Sequence, residues 1–242
     1  MPNLSFHVEG AEPIAFAVAP LIVFKLRITN SIAKESIHAI ALRCQIQIET
    51  THRRYSAQDQ ERLLDVFGEP GLWSRSLRSM LWTHTGVTVP PFIDSTTVDL
   101  PVPCTYDFNI AATKYFYALQ DGEVPLCLLF SGTIFYMAGE RALQVAQIPW
   151  DREARFRLPI RVWKEMMEIY YPNSAWLCLR KDIFDRLYQY KLRLGLATWE
   201  QALESLLNNP AMNSDISLDS TQASTGLRTD SSTSSKLKEV KS

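Results

Sequence analysis

The sequence predicts an α+β protein, an N-terminal and central antiparallel β-sandwich-like sheet with C-terminal helices. Two observations carry this: two-residue alternation and Pro/Gly-punctuated apolar runs occupy residues 1–158, and apolar residues at three- and four-residue spacing follow from 159. With 46% hydrophobic residues in 242, the chain has enough apolar material for a core without disulfide or metal staples.

The clearest strand is residues 37–48. His38, Ile40, Leu42, Cys44, Ile46 and Ile48 alternate with Ala39, Ala41, Arg43, Gln45, Gln47 and Glu49, which places the apolar set on one sheet face. Leu4, Phe6 and Val8, and then Phe24, Leu26 and Ile28, form shorter alternating runs separated by Pro13 and Pro20. Three antiparallel strands with one solvated face are expected here.

A helical insertion is predicted at about 56–81. Ser56 and Asp59 make a capping box; Leu63, Leu64 and Phe67 follow, and Gly68 is the stop. Trp73, Leu77 and Leu81, four apart, predict a second short helix. Strand signals return at 87–89, 97–100, 124–136, 143–148 and 154–158, with a short helix at 111–119. Together these define a β-rich domain at 1–158.

A helical region at 159–209 is expected to pack on that domain. Val162, Met166, Ile169 and Tyr170 line one helix that Pro172 ends, and Ile183, Leu187, Tyr190 and Leu194 line a second ended by Gly195. Thr198 with Gln201 caps a third, whose apolar positions are Trp199, Leu203, Leu206 and Leu207. In the last 32 residues, 13 are Ser or Thr and none is aromatic. Such a segment cannot offset its ordering entropy, so 210–242 is expected to be a disordered tail.

Charge and motifs narrow the function. Twenty-five Lys and Arg against 26 Asp and Glu give a net charge of −1, so nucleic acid is not an expected partner. The N-terminus has no basic region followed by an unbroken apolar stretch, and residues 15–24 are interrupted by Pro20 and closed by Lys25. A cytoplasmic protein without membrane insertion is expected. No phosphate-binding glycine motif, Gly-x-Ser-x-Gly elbow or Cys-x-x-Cys pair occurs, and no cofactor or metal is expected.

Three groups of residues are candidates for function. In the Pro101-Val102-Pro103-Cys104-Thr105-Tyr106-Asp107 stretch, Cys104 reads either as a nucleophile or metal-handling thiol, with Asp107 holding His84 as its base, or as a buried hydrophobe with Asp107 as a helix cap. Arg155 and Arg157 share one strand face, either as a basic strip for a carboxylate-bearing partner or as charges that guard a sheet edge. Trp163, Trp176 and Arg180 are candidate contact residues, because Trp and Arg dominate interface energetics, or they belong to ordinary packing.

Several stretches also carry a resemblance. Ile37-His38-Ala39-Ile40-Ala41-Leu42-Arg43-Cys44-Gln45-Ile46, Arg62-Leu63-Leu64-Asp65-Val66-Phe67-Gly68-Glu69-Pro70, residues 100–108, Leu129-Phe130-Ser131-Gly132-Thr133, residues 149–153 and Tyr171-Pro172-Asn173-Ser174 resemble an uncharacterised bacterial family. That family is associated with gene clusters of uptake nickel–iron hydrogenases. The resemblance covers roughly residues 2–208 and assigns no catalytic residue. It implies a non-enzymatic accessory or interaction module whose partner is a hydrogenase subunit or maturation factor.

Overall fold

The structure, a computed structural model, describes residues 2–32, 35–104, 110–138, 142–174, 177 and 179–208. The chain divides into two compact units, residues 1–175 and 176–242. The expected tail lies outside the described residues. Among the described residues no helix is long and apolar enough to cross a membrane.

The first unit has two antiparallel sheets facing each other. One contains β1 (Leu4–Pro13), β2 (Leu21–Asn30) and β5 (Ser95–Pro103) in the order β1-β2-β5. The second contains β3 (Ile37–Ile48), β4 (Met80–Val89), β6 (Glu123–Ala138), β7 (Ala142–Gln147) and β8 (Glu153–Pro159). Its path is β4-β3-β6, and the other side of β6 is shared by β8, paired with its first half, and β7, paired with its second. The predicted α+β class is the one observed.

The three expected N-terminal strands form, but they do not share one sheet. β1 and β2 pair, but β3 crosses to the second sheet, between β4 and β6, and β5 takes the place beside β2. Alternation fixes which face of a strand is buried and says nothing about its neighbour. The crossover is organised by buried Asn30. Its side-chain carbonyl accepts from the amides of Asn3 and Ile32, both at 3.2 Å, and its amide donates to the carbonyls of Ile32 and Glu35 at 3.4 and 3.2 Å. A buried amide satisfied on both ends stabilises one route out of the sheet.

Core side chains close the sandwich. Phe6 of β1 stacks on Phe130 of β6 with ring centroids 4.3 Å apart, and fully buried Phe24 of β2 meets Trp82 of β4 and Phe156 of β8 edge-on. Such offset and edge-to-face pairs are the favoured arrangements for aromatic quadrupoles.

Between β3 and β4 lie three short helices: α1 (Ala57–Arg62), α2 (Leu64–Phe67) and α3 (Trp73–Ser76). The Ser56–Asp59 capping box is present, with both reciprocal bonds. The second predicted helix is shorter than its spacing implied. Leu77 is extended, and Leu81 lies in β4, where it is exposed while Trp82 is buried. Two-residue alternation around Trp82 prevails there over four-residue spacing, and the helical insertion ends at Ser76.

This insertion is tied to the start of β6 by a buried polar cluster. Arg53 donates to the carbonyls of Glu123 and Asp121, both at 2.6 Å, and lies 3.8 Å from Asp59, each side chain under a tenth exposed. The Tyr55 hydroxyl bonds the Thr50 carbonyl at 2.7 Å and the Tyr115 hydroxyl at 3.0 Å.

α4 (Ile110–Ala118) and α5 (Ile160–Tyr170) complete the first unit. α5 packs on β1, β2 and α4, buries Val162, Trp163 and Met166, and falls in the same compact unit as the sheets. In the second unit, α6 (Lys181–Arg193) and α7 (Trp199–Leu207) form a helical pair, and the Thr198–Gln201 capping box opens α7.

Candidate interaction site

Of the sequence-predicted polar site, Cys104 and His84 are described, and they are placed by strands of different sheets. Cys104 follows β5 in the first sheet, half-buried, with its amide bonded to the Pro20 carbonyl at 2.9 Å and its Sγ donating to the Val102 carbonyl at 3.3 Å. A carbonyl cannot take the thiol proton as a general base. His84 lies in the second sheet, paired with Gln45 and exposed; its neighbour Thr85 bonds the Pro101 carbonyl toward β5, so His84 projects to the opposite side. Asp107 lies outside the described residues. Among the described residues no three His, Cys, Asp or Glu side chains are grouped to hold a metal ion.

Burial pushes the Cys104 thiol up to about 12, against the usual value of about 8.5 for a free thiol. Cys44 is pushed up to about 12 and Cys127 to about 11, again chiefly by burial. Raised thiol values mean that the folded state retains protons that the unfolded chain loses. The stability they contribute is intact below about pH 8.5 and falls as pH rises toward 12. A thiol-reactive chromophore at pH 8 is therefore expected to label Cys104 at least about tenfold more slowly in native than in urea-unfolded protein. Equal rates would contradict an enclosed thiol.

Arg155 and Arg157 are exposed on the outer face of β8, and Glu153 shares that face, its carboxylate 3.4 Å from the Arg155 guanidinium. Trp163 belongs to the core: it is 4% exposed and stacks on Phe116 with centroids 5.6 Å apart, so it is not a surface contact residue. The reason is its place on the α5 face that covers the sheets. Arg180 precedes α6 in the second unit and pairs with Asp182 at 2.9 Å, both exposed. Trp176 lies outside the described residues.

A different feature stands out between β1 and β2. Residues 14–20, Ile-Ala-Phe-Ala-Val-Ala-Pro, contain no charged or polar side chain, and their ends are closed by a 3.0 Å bond from the Ile14 amide to the Leu21 carbonyl. Phe16 and Val18 are fully exposed, at 102% and 108%. Phe16 also adopts φ +63°, the left-handed region that disfavours residues with a bulky side chain.

This conformation is held by Tyr170 at the end of α5. Its hydroxyl donates to the Ile14 carbonyl at 2.7 Å and accepts from the Ala17 amide at 2.9 Å. One phenol thus fixes both sides of the Phe16 turn, using its donor and acceptor capacity together. Tyr170→Phe removes both bonds and is expected to cost about 1–2 kcal/mol of stability. Amide exchange at Ala17 is expected to accelerate more than exchange in β1, and uniform acceleration would contradict a local clamp.

In the sequence this loop is an apolar stretch too short to span a membrane. Its signal was the pair Pro13 and Pro20 bracketing an uninterrupted apolar run between two strands. Such a run in a connection has no sheet face in which to be buried.

No curated protein matches the chain. A family model matches residues 1–215, and the chain thereby belongs to a family of unknown function, DUF6084.

Proposed function

We propose that this chain is a non-enzymatic accessory protein of the cytoplasm that binds a protein partner through the hairpin loop at residues 14–20. The carrying observation is Phe16, fully exposed and held at positive φ by two bonds to Tyr170. Neither local packing nor backbone preference accounts for an aromatic side chain in that position. Strain retained at an exposed apolar knob is the pattern of a preformed contact residue, which reaches a partner's pocket without an ordering cost at the time of binding.

The partner is a component of an uptake nickel–iron hydrogenase system, either a subunit or a maturation factor. The support for this assignment is the family resemblance and its gene-cluster association. Tagged full-length protein and its Phe16→Asp, Val18→Asp double variant, purified from the native host, test both parts. A stoichiometric partner recovered by the wild type and lost by the variant is expected, and that partner should be a hydrogenase component. If both proteins recover the same set, the loop is not the binding site; a loop-dependent partner from another system would overturn only the hydrogenase assignment.

A further inference from the structure

β7 is an end strand of the second sheet. It pairs with the second half of β6 and, among the described residues, with no other strand. The Ile148 amide bonds the Gly132 carbonyl at 2.9 Å, and the same register runs back along β7, so the amides and carbonyls of Ala142, Gln144 and Ala146 turn toward β6. Those of Leu143, Val145 and Gln147 turn the other way, to the side on which no described strand lies.

The other sheet edges among the described residues each carry a device against strand addition. β1 has a bulge between Val8 and Gly10 and ends on Pro13, and β5 contains Pro101 and Pro103. β4 lies against β5, joined by the Thr85 hydroxyl and the Pro101 carbonyl, and β8 carries Glu153, Arg155 and Arg157. β7, Ala-Leu-Gln-Val-Ala-Gln, has neither proline, bulge nor charge, and five of its six residues are exposed. An edge of that kind is a template for a further strand.

Its side chains match a second copy of themselves. Leu143 and Val145, more than half exposed, stand opposite Met137 and Phe135 on the outer sheet face, and Phe135 stands opposite Ala39, so an apolar row runs out to the edge. A two-fold axis at Val145 engages all three outward residues. Val145 then meets its own counterpart, and Leu143 meets the stem of Gln147, whose amide is already bonded to the Thr133 hydroxyl at 3.2 Å. No like charges are opposed in that register, and the apolar row becomes continuous from Ala39 of one copy to Ala39 of the other. An uncharged edge offers no ion pair with which to select a foreign strand, whereas its own sequence fits it in register.

We infer that β7 is a dimerisation edge, at which two copies of this chain pair antiparallel through Leu143, Val145 and Gln147 to make one sheet continuous across both. It goes beyond the hairpin reading and does not require it.

Sedimentation of the full chain over a roughly hundredfold concentration range is expected to show a reversible monomer–dimer equilibrium. Val145→Pro removes one outward donor while leaving the bonds to β6 in place, and Val145→Lys sets like charges face to face on the axis. Each should raise the dimer dissociation constant at least about tenfold, and Phe16→Asp should leave it unchanged. Circular dichroism of each variant establishes that its sheets are retained. Single cysteines give a second reading: in a Cys178→Ser background, mild oxidation should link Val145→Cys to its counterpart but not Gln144→Cys, which lies off the axis. A monomer throughout, a dimer indifferent to both substitutions at Val145, or linkage at position 144 as ready as at 145 would overturn the inference. So would dissociation by Phe16→Asp, which would put the contact at the hairpin. A monomer that co-purifies from the native host with another protein, and loses it in Val145→Lys, would likewise overturn it by putting a partner's strand on the edge.

Discussion

Gly132→Ala is expected to destabilise the first unit by on the order of 3 kcal/mol, a fall of roughly 6–12 °C in the thermal midpoint. Gly132 sits in β6 opposite Leu42 of β3, with φ +139°, and a Cβ there would lie 2.1 Å from the Ala41 carbonyl oxygen. Neither element can yield cheaply, because β3 is the central strand between β4 and β6. The same stretch of β3 is approached from its other side by Gly86, whose Cβ would lie 2.8 Å from the Leu42 carbonyl oxygen. Gly71→Ala is the control. Nothing lies within 4 Å of a Cβ at that site, so its expected effect is within about 0.5 kcal/mol. Thermal unfolding followed by circular dichroism checks both, and equal midpoints for the two variants would contradict the close approach of β3 and β6.

Phe16→Gly is expected to separate stability from function in opposite directions. A non-glycine residue at left-handed φ costs roughly 1–2 kcal/mol, which glycine relieves, while its greater freedom in the unfolded chain returns about 0.5–1 kcal/mol. The midpoint should therefore stay level or rise by up to about 6 °C. Binding should fall by at least about 30-fold, the loss expected when an aromatic anchor in an interface is truncated. Calorimetry with the identified partner measures the second effect. A variant that binds normally would remove Phe16 from the interface, and one that melts earlier would show that the ring stabilises the fold.

Much of the fold was legible because local rules are carried by neighbouring residues. The alternation of 37–48 marked a half-buried strand, and Ser56 with Asp59 and Thr198 with Gln201 announced two helix starts that form with both reciprocal bonds. The placement of β3 was not legible, since the choice between β2 and β6 as neighbour depends on a crossover organised by Asn30 with partners from Asn3 to Glu35. The separation of His84 from Cys104 was not legible for the same reason. Cys104 and His84 lie 20 residues apart in sequence but belong to different sheets, and no local pattern states which strands face each other. Trp163 and Trp82 are buried for reasons of tertiary packing, while Phe16 is exposed because a hairpin closed by Tyr170, 154 positions later in the chain, leaves it no core to enter.

If Phe16 is the point of contact with a protein partner, a photo-crosslinking phenylalanine at position 16, irradiated in native cells, should capture that partner. One discrete crosslinked protein is expected, its yield reduced when Tyr170→Phe loosens the loop. A probe at Trp150, which is also 93% exposed, serves as the reference for an aromatic position without a clamp. A pattern at position 16 no more selective than that at Trp150, and unchanged by Tyr170→Phe, would rule out Phe16 as the contact.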